Sequence, residues 1–345
     1  MKNILVLALL LLGGCTTVST PPAPVAIADA DLRATIAVLA SDEFEGRMAG
    51  TPGETKTVAY IADRFRAAGL QSGSRGPIAY LDPFTIKANV KKLPPSSAKL
   101  PGGQRAFLEA TNAAGTFASH NVVGVARGRH PDGRAVIVMA HWDHLGICRP
   151  KGEADRICNG AVDNASGIAA MIAVAERVAK LGLDRDVWFV ATGGEEWGLL
   201  GAKAFADHPP VKLFSIVAGF NLDTIAIAPK GAPVAIVATP SSPLEPLVRK
   251  AAEHLGRAYD ADQEAAGFIQ RQDGWALAEH KVPMIMAGGS FSDMKLLMAF
   301  LANGYHGADD ELTPSLDLGG AVDDANLHVE LVRLAASRKF NPRVH

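Results

Sequence analysis

Little in this chain is extreme, and its shortages narrow the field first. Basic and acidic side chains nearly cancel, with 34 Lys and Arg against 36 Asp and Glu and a net charge of -2. That leaves no surplus charge to grip a nucleic-acid backbone or a strongly anionic surface. Long apolar runs are missing too. The N-terminal run from Ile4 to Leu12 is too short for a membrane-spanning helix and has the length of a secretory signal core. No internal repeat and no second domain are evident. Cysteine is scarce, at three residues, so each one can be read separately.

What remains is ample for one large domain. The 345 residues are 48% hydrophobic with a mean hydropathy of +0.12, enough to bury a sizeable core. Lys2, the apolar run and Leu12-Gly13-Gly14-Cys15 are similar to a bacterial lipoprotein signal. Residues 1–14 are therefore expected to be a cleaved signal peptide and Cys15 the lipidated first residue, anchoring an exported protein to a membrane of the bacterial envelope. Residues 15–28, rich in Thr, Ser, Pro and Ala, read as a flexible tether. Cys148 and Cys158 fall in one loop, and an exported protein meets an oxidising compartment. They form a disulfide or stand as two free thiols.

The chemistry is concentrated between His141 and Glu196. Ala135 to Ala140 and Val187 to Ala191 are short, apolar, β-rich runs of the kind buried on both faces of a sheet. Between them, Ala165 to Leu181 spaces Ile168, Met171, Ile172, Ala175 and Val178 helically, with Gly182 as the stop. Strand, helix, strand is a βαβ unit, and such sheets bind ligands beyond the carboxyl ends of their strands. His141 and the pair Glu195-Glu196 emerge on that side. Trp197 to Ala206 reads as a helix carrying the two glutamates at its N-terminus. Ser72 to Gly115 reads as irregular sheet-edge structure, and Arg47 and Glu45 as either substrate contacts or a solvated salt bridge.

Two adjacent carboxylates at the end of a core strand repel each other and are costly to desolvate unless a cation lies near. Imidazole nitrogen with carboxylate oxygen is a donor set that suits Zn²⁺. One glutamate can hold the ion while its neighbour takes a proton from water.

The ordered set His141-Trp142-Asp143, Gly160-Ala161-Val162-Asp163-Asn164-Ala165-Ser166-Gly167, Glu195-Glu196-Trp197-Gly198, Asn221-Leu222-Asp223 and Tyr305-His306 resembles peptidase family M28, co-catalytic zinc aminopeptidases. The likeness runs from about residue 30 to the C-terminus. It implies a single α/β domain over residues 29–345, a mostly parallel or mixed central sheet flanked by helices, with no room for a protease-associated insertion. It also implies two Zn²⁺ per chain, bridged by Asp163, one also held by His141 and Asp223 and the other by Glu196 and His306. Glu195 would be the general base acting on the bridging water, Asp143 would orient a ligating imidazole, and Tyr305 would hydrogen-bond the oxyanion. His144 has no ligand role in that pattern, and Asp310 falls where the family supports its last ligand loop. Thr224, Gln272-Asp273-Gly274 and Met284 to Gly289 depart from it. Asp273 is a candidate substrate-side residue, with a surface or helix-capping carboxylate as the alternative.

The expected substrates are peptides with a free N-terminus. The rivals are a carboxypeptidase, a glutaminyl cyclase, or a non-catalytic lipoprotein binding module on the same fold. A metallo-β-lactamase-like hydrolase needs a His-x-His-x-Asp-His run, which His141-Trp142-Asp143-His144 does not supply.

Overall fold

The computed structural model describes residues 25–89, 114–149, 151–262 and 264–342. The expected signal peptide, Cys15 and most of the tether lie outside the described residues. In chain order the helices are α1 (Asp29–Leu39), α2 (Pro52–Ala67), α3 (Ser166–Leu181), α4 (Leu200–Asp207), α5 (Glu245–His254), α6 (Gly274–Ala278), α7 (Met294–Asn303) and α8 (Gly319–Ala335). The strands are β1 (Gln71–Ser72), β2 (Leu81–Asn89), β3 (Ala114–Ala126), β4 (Ala135–His141), β5 (Gly146–Ile147), β6 (Ile157–Cys158), β7 (Asp186–Thr192), β8 (Ile216–Asn221), β9 (Ala235–Ala238) and β10 (Met284–Gly288).

The central sheet follows the order β1-β3-β7-β4-β8-β10-β9, with β2 also paired to β3. Its middle four strands, β7, β4, β8 and β10, run parallel, and antiparallel neighbours close both sides. This is the α/β class with a mixed sheet that the sequence implied. Alternation explains why β4 reads as an unbroken apolar run. Val136, Val138 and Ala140 enter the larger core beside α1, α2, α3 and α8, whereas Ala135, Ile137 and Met139 enter a second core with Phe205 of α4 and Leu277 of α6. Helices thus cover both faces, and every β4 residue is buried.

Parallel registration sets the site. His141 pairs with Thr192 and Met139 with Asn221, so β4, β7 and β8 end on the same side and release His141, Glu195-Glu196 and Asp223 together.

Two expectations are corrected here. Residues 81–89 are not irregular: they pair with β3 from Leu81↔Val122 through Asn89↔Ala114. Glu195 and Glu196 do not open a helix either, because Leu199 takes a left-handed φ of 62° and α4 begins only at Leu200. Their backbone amides point instead at Asp143, whose carboxylate accepts from Glu195 N at 3.1 Å and from Glu196 N at 3.4 Å.

Candidate metal centre and catalytic cavity

His141 is fully buried at the end of β4. Its Nδ1 lies 3.1 Å from the Asp143 backbone carbonyl, while the Asp143 carboxylate stands 3.9 Å away. The carbonyl of Asp143, rather than its side chain, makes the imidazole's hydrogen bond. With the proton placed on Nδ1 by that bond, Nε2 faces Asp163 Oδ1 at 3.2 Å and Asp223 Oδ1 at 3.4 Å. A lone pair directed at two carboxylate oxygens is repulsive unless a proton or a metal cation intervenes.

The other oxygen of Asp163 serves a second group. Its Oδ2 is 3.3 Å from His306 Nε2, which in turn is 3.0 Å from Glu196 Oε2. Four donors placed tetrahedrally around an ion at about 2.0–2.1 Å stand roughly 3.3 Å apart, and the observed separations cluster around that value. Hydrogen bonding does not account for all of them, since Asp163 Oδ2 and His306 Nε2 are buried without a hydrogen-bond partner. Such orphans are the mark of a site shaped for an ion. His144, given no ligand role from sequence, joins this second group: its Nδ1 is 3.0 Å from Glu196 Oε1 and 3.8 Å from Asp163 Oδ2. His141, Asp163 and Asp223 form one potential metal-holding set, and His144, Asp163 and Glu196 another, both sharing Asp163.

The loop bearing Asp163 is pinned from several directions. The Asp310 carboxylate accepts from Val162 N at 2.7 Å and Asp163 N at 2.9 Å. Asn164 Oδ1 accepts from Gly167 N in the first turn of α3 and from Thr224 N, and Asn164 Nδ2 donates to Leu222 O, tying the helix start to the strand that delivers Asp223. Gly160, at φ +57°, lets this loop turn: a Cβ there would fall 2.2 Å from Asp163 O and 2.6 Å from the His144 ring. Thr224, one of the departures from the family pattern, donates its hydroxyl to Asp223 Oδ1 at 2.8 Å.

Arg47, expected to contact substrate or form a solvated salt bridge, does neither. It is fully buried and donates to the carbonyls of Leu39, Trp142, Asn159 and Gly160 at 2.6–2.9 Å. One guanidinium thereby joins the N-terminal segment to both loops of the cluster, and burial lowers it to about 10.

A cavity opens onto His141, Asp163, Asp223, Glu195 and Tyr305. Burial, reinforced by the charges of Glu196 and Asp273 and opposed by His141, raises the Glu195 carboxyl well above its ordinary range. Asp163 moves the other way, because the neighbouring imidazoles of His141, His306 and His144 together outweigh the effect of burial. Tyr305 stacks on the His306 imidazole with ring centroids 3.7 Å apart. Asp273, expected on the substrate side, does not line the cavity. It is fully buried, caps no helix through its side chain, and accepts a hydrogen bond from Thr192 Oγ1. Its neighbours Arg271 and Gln272 face the cavity instead.

Cys148 and Cys158 are joined by a disulfide with Cα atoms 5.8 Å apart. It ties the β5 and β6 ends together, and Cys158 Sγ lies 3.7 Å from the His306 carbonyl.

The model of peptidase family M28 matches residues 121–329, well over half of the chain. Among curated proteins, the alkaline phosphatase isozyme conversion protein of Escherichia coli K12 is 29% identical over 202 residues, 54% of this chain and 49% of that one. Aminopeptidase YwaD of Bacillus subtilis is 33% identical over 111 residues, 31% of this chain and 22% of that one. The matched stretch thus spans about half or less of these relatives' length. Among solved structures, the zinc aminopeptidase BSAP from Bacillus subtilis superposes with a TM-score of 0.63 at 17% identity, covering 90% of this chain and 96% of that one. A glutaminyl cyclase from Bacteroides thetaiotaomicron gives a TM-score of 0.60 at 15% identity, covering 90% and 99%.

Proposed function

Because the chain belongs to peptidase family M28, we propose that it is a zinc-dependent aminopeptidase that removes N-terminal residues from peptides using two ions held by the Asp163 cluster. The observation that carries this reading is the single Asp163 carboxylate whose two oxygens face two different histidines, His141 and His306. On this assignment His141, Asp163 and Asp223 hold one ion and Asp163, Glu196 and His306 the other, with His144 holding Glu196 in place through its 3.0 Å contact. When bound, the pair of ions supplies Lewis acidity toward the scissile carbonyl and lowers the pKa of water.

The protein's own groups do the rest. Glu195, which faces the cavity and has a raised proton affinity, accepts the proton of the attacking water and returns it to the leaving amine. Asp143 holds the Glu195-Glu196 turn through both backbone amides, fixing the base against the ligand beside it. Tyr305, kept in register by its stack on His306, donates its hydroxyl to the oxyanion as negative charge develops. The apolar walls made by Phe268, Met286, Phe291 and Leu297 hold the substrate and exclude water. Membrane attachment through Cys15 and export to the bacterial envelope complete the proposal, on the N-terminal signal alone.

Two measurements test it together. Aminoacyl p-nitroanilides are expected to be cleaved and their N-acetylated counterparts not, with close to two zinc ions per chain by elemental analysis. Glu195→Gln is expected to keep its metal while turnover falls at least ~100-fold, the scale of lost acid-base catalysis. Cleavage of blocked substrates only, or one zinc per chain with cyclisation of N-terminal glutamine, would overturn the reading in favour of a carboxypeptidase or endopeptidase in the first case and a cyclase in the second.

A further inference from the structure

The arginines of this protein are mostly committed to carboxylates: Arg64 to Glu176, Arg257 to Asp324, Arg333 to Glu330, Arg127 to Asp186. Arg271 is not. It is exposed, lines the same cavity as Glu195, Asp163 and Asp223, and among the described residues pairs with no acidic group. Its contact is with a ring, the guanidinium carbon standing 5.3 Å from the Phe268 centroid. Stacking on an aromatic face steadies the guanidinium plane and leaves its fork of N–H donors free.

The neighbouring polar group cannot compete for a ligand. Gln272 Oε1 accepts from Gly274 N at 2.7 Å and its Nε2 donates to Ile269 O at 3.1 Å, so its side chain is spent on the local backbone. The rest of that wall, Phe268, Met286, Phe291 and Leu297, is apolar. A substrate carboxylate entering such a cavity would lose hydration without return, except at the one guanidinium, which matches its two oxygens with two parallel donors. Asp163 and Asp223 are turned toward His141, and no ion pair joins Arg271 to them or to Glu195 among the described residues. Arg271 shares its cavity with Glu195, Asp163 and Asp223, so a substrate group that reaches it lies close to the scissile bond. The carboxylate that reaches Arg271 therefore belongs to the residue being released or to the one after it.

We propose that Arg271 is a specificity residue that receives a carboxylate carried by the substrate, so that substrates with a carboxylate near the scissile bond are preferred over their neutral isosteres. The inference deepens the peptidase reading and rests on it. Two sources share this chemistry, the side chain of an N-terminal glutamate and the C-terminus of a dipeptide, and paired substrates separate them. Hydrolysis of Glu- against Gln-p-nitroanilide reads the first source, and of Leu-Gly against Leu-Gly-amide the second.

In the zinc-loaded enzyme, the acidic member of at least one pair is expected to show a KM roughly tenfold lower than its neutral isostere, the scale of a charge-assisted bidentate bond. Arg271→Gln should abolish that difference, leaving neutral substrates within about twofold in kcat and KM, and Arg271→Lys should restore part of it. Calorimetric titration of glutamate against glutamine, and of Leu-Gly against Leu-Gly-amide, reads the same preference without turnover. If wild-type enzyme cleaves none of these substrates yet binds the acidic partner more tightly in an Arg271-dependent way, the peptidase reading fails and the carboxylate site stands. Equal affinity within both pairs, or a loss in Arg271→Gln that is the same for acidic and neutral substrates or falls on kcat, overturns the proposal.

Discussion

At the scale of single residues, the site depends on side chains whose work is to hold backbone. Arg47 supplies donors to four carbonyls from three separate stretches, and nothing in the local pattern Phe44-Glu45-Gly46-Arg47 announces this. A lone arginine among charged neighbours reads as solvated, and only the tertiary placement of Leu39, Trp142, Asn159 and Gly160 around it makes it structural. Removing it leaves those carbonyls buried and unsatisfied, so Arg47→Met should lower unfolding free energy by on the order of 3 kcal/mol. Urea denaturation would check it, and a midpoint unchanged from wild type would sink the account. Asp143 shows the same limit. Its position two residues after His141 was legible, but the group that meets the imidazole is its carbonyl, and its carboxylate serves the amides across the strand gap. Spacing in sequence identifies neighbours without telling which atom of the neighbour is used.

At the scale of elements, the parallel core strands were readable because burial on both faces leaves a continuous apolar run, as in β4 and β7. Helices α2 and α3 were readable from spacing plus a Gly or Pro boundary. The β2–β3 pairing was not, since its partners in register lie 25 to 41 residues apart and its residues mix polar with apolar. The turn after β7 was misread for a similar reason: Leu199 carries no signal for its left-handed φ, yet that conformation sets α4 back and frees two amides for Asp143.

The β5–β6 loop belongs at this scale as well. A disulfide between residues ten apart removes loop-closure entropy worth about 2–3 kcal/mol. The double variant Cys148→Ser, Cys158→Ser should lose stability of that size in denaturant titrations, and addition of reductant should have no further effect on it. A wild type that melts identically with and without reductant would count against a stabilising role for the bridge.

At the scale of the whole molecule, packing of α8 against the sheet contributes to the response to acid. His328 is fully buried, bonded through Nδ1 to Asp324 O at 2.7 Å and edge-on to Phe220, and burial lowers it from 6.5 to about 4. Above that upper value both folded and unfolded chains carry a neutral ring. Between the two values the unfolded chain takes up a proton that the fold excludes, so stability falls with falling pH. Asp324 opposes this trend. Burial pushes its carboxyl up to about 6 despite Arg257, and it takes up a proton in the fold over an overlapping range.

The His328 contribution is therefore isolated by difference: relative to His328→Gln, wild type should lose melting temperature as pH drops from 7 to 4. Parallel melting curves for the two across that range would refute it. Burial of the histidine was not visible in sequence, where one helical His resembles any other, while the order of the candidate ligands was visible because it runs over about 165 residues from His141 to His306.

His141, Asp163, Glu196 and Asp223 leave the ribosome well before His306, and Asp310, which fixes the Asp163 loop through two amides, comes later still. On the proposed assignment the chain up to Asp223 offers a first ion all three of its donors while the second lacks an imidazole from the far end. Capture of that second ion would then report that the C-terminal segment has folded onto the site, making metal occupancy a register of completed folding rather than its starting point.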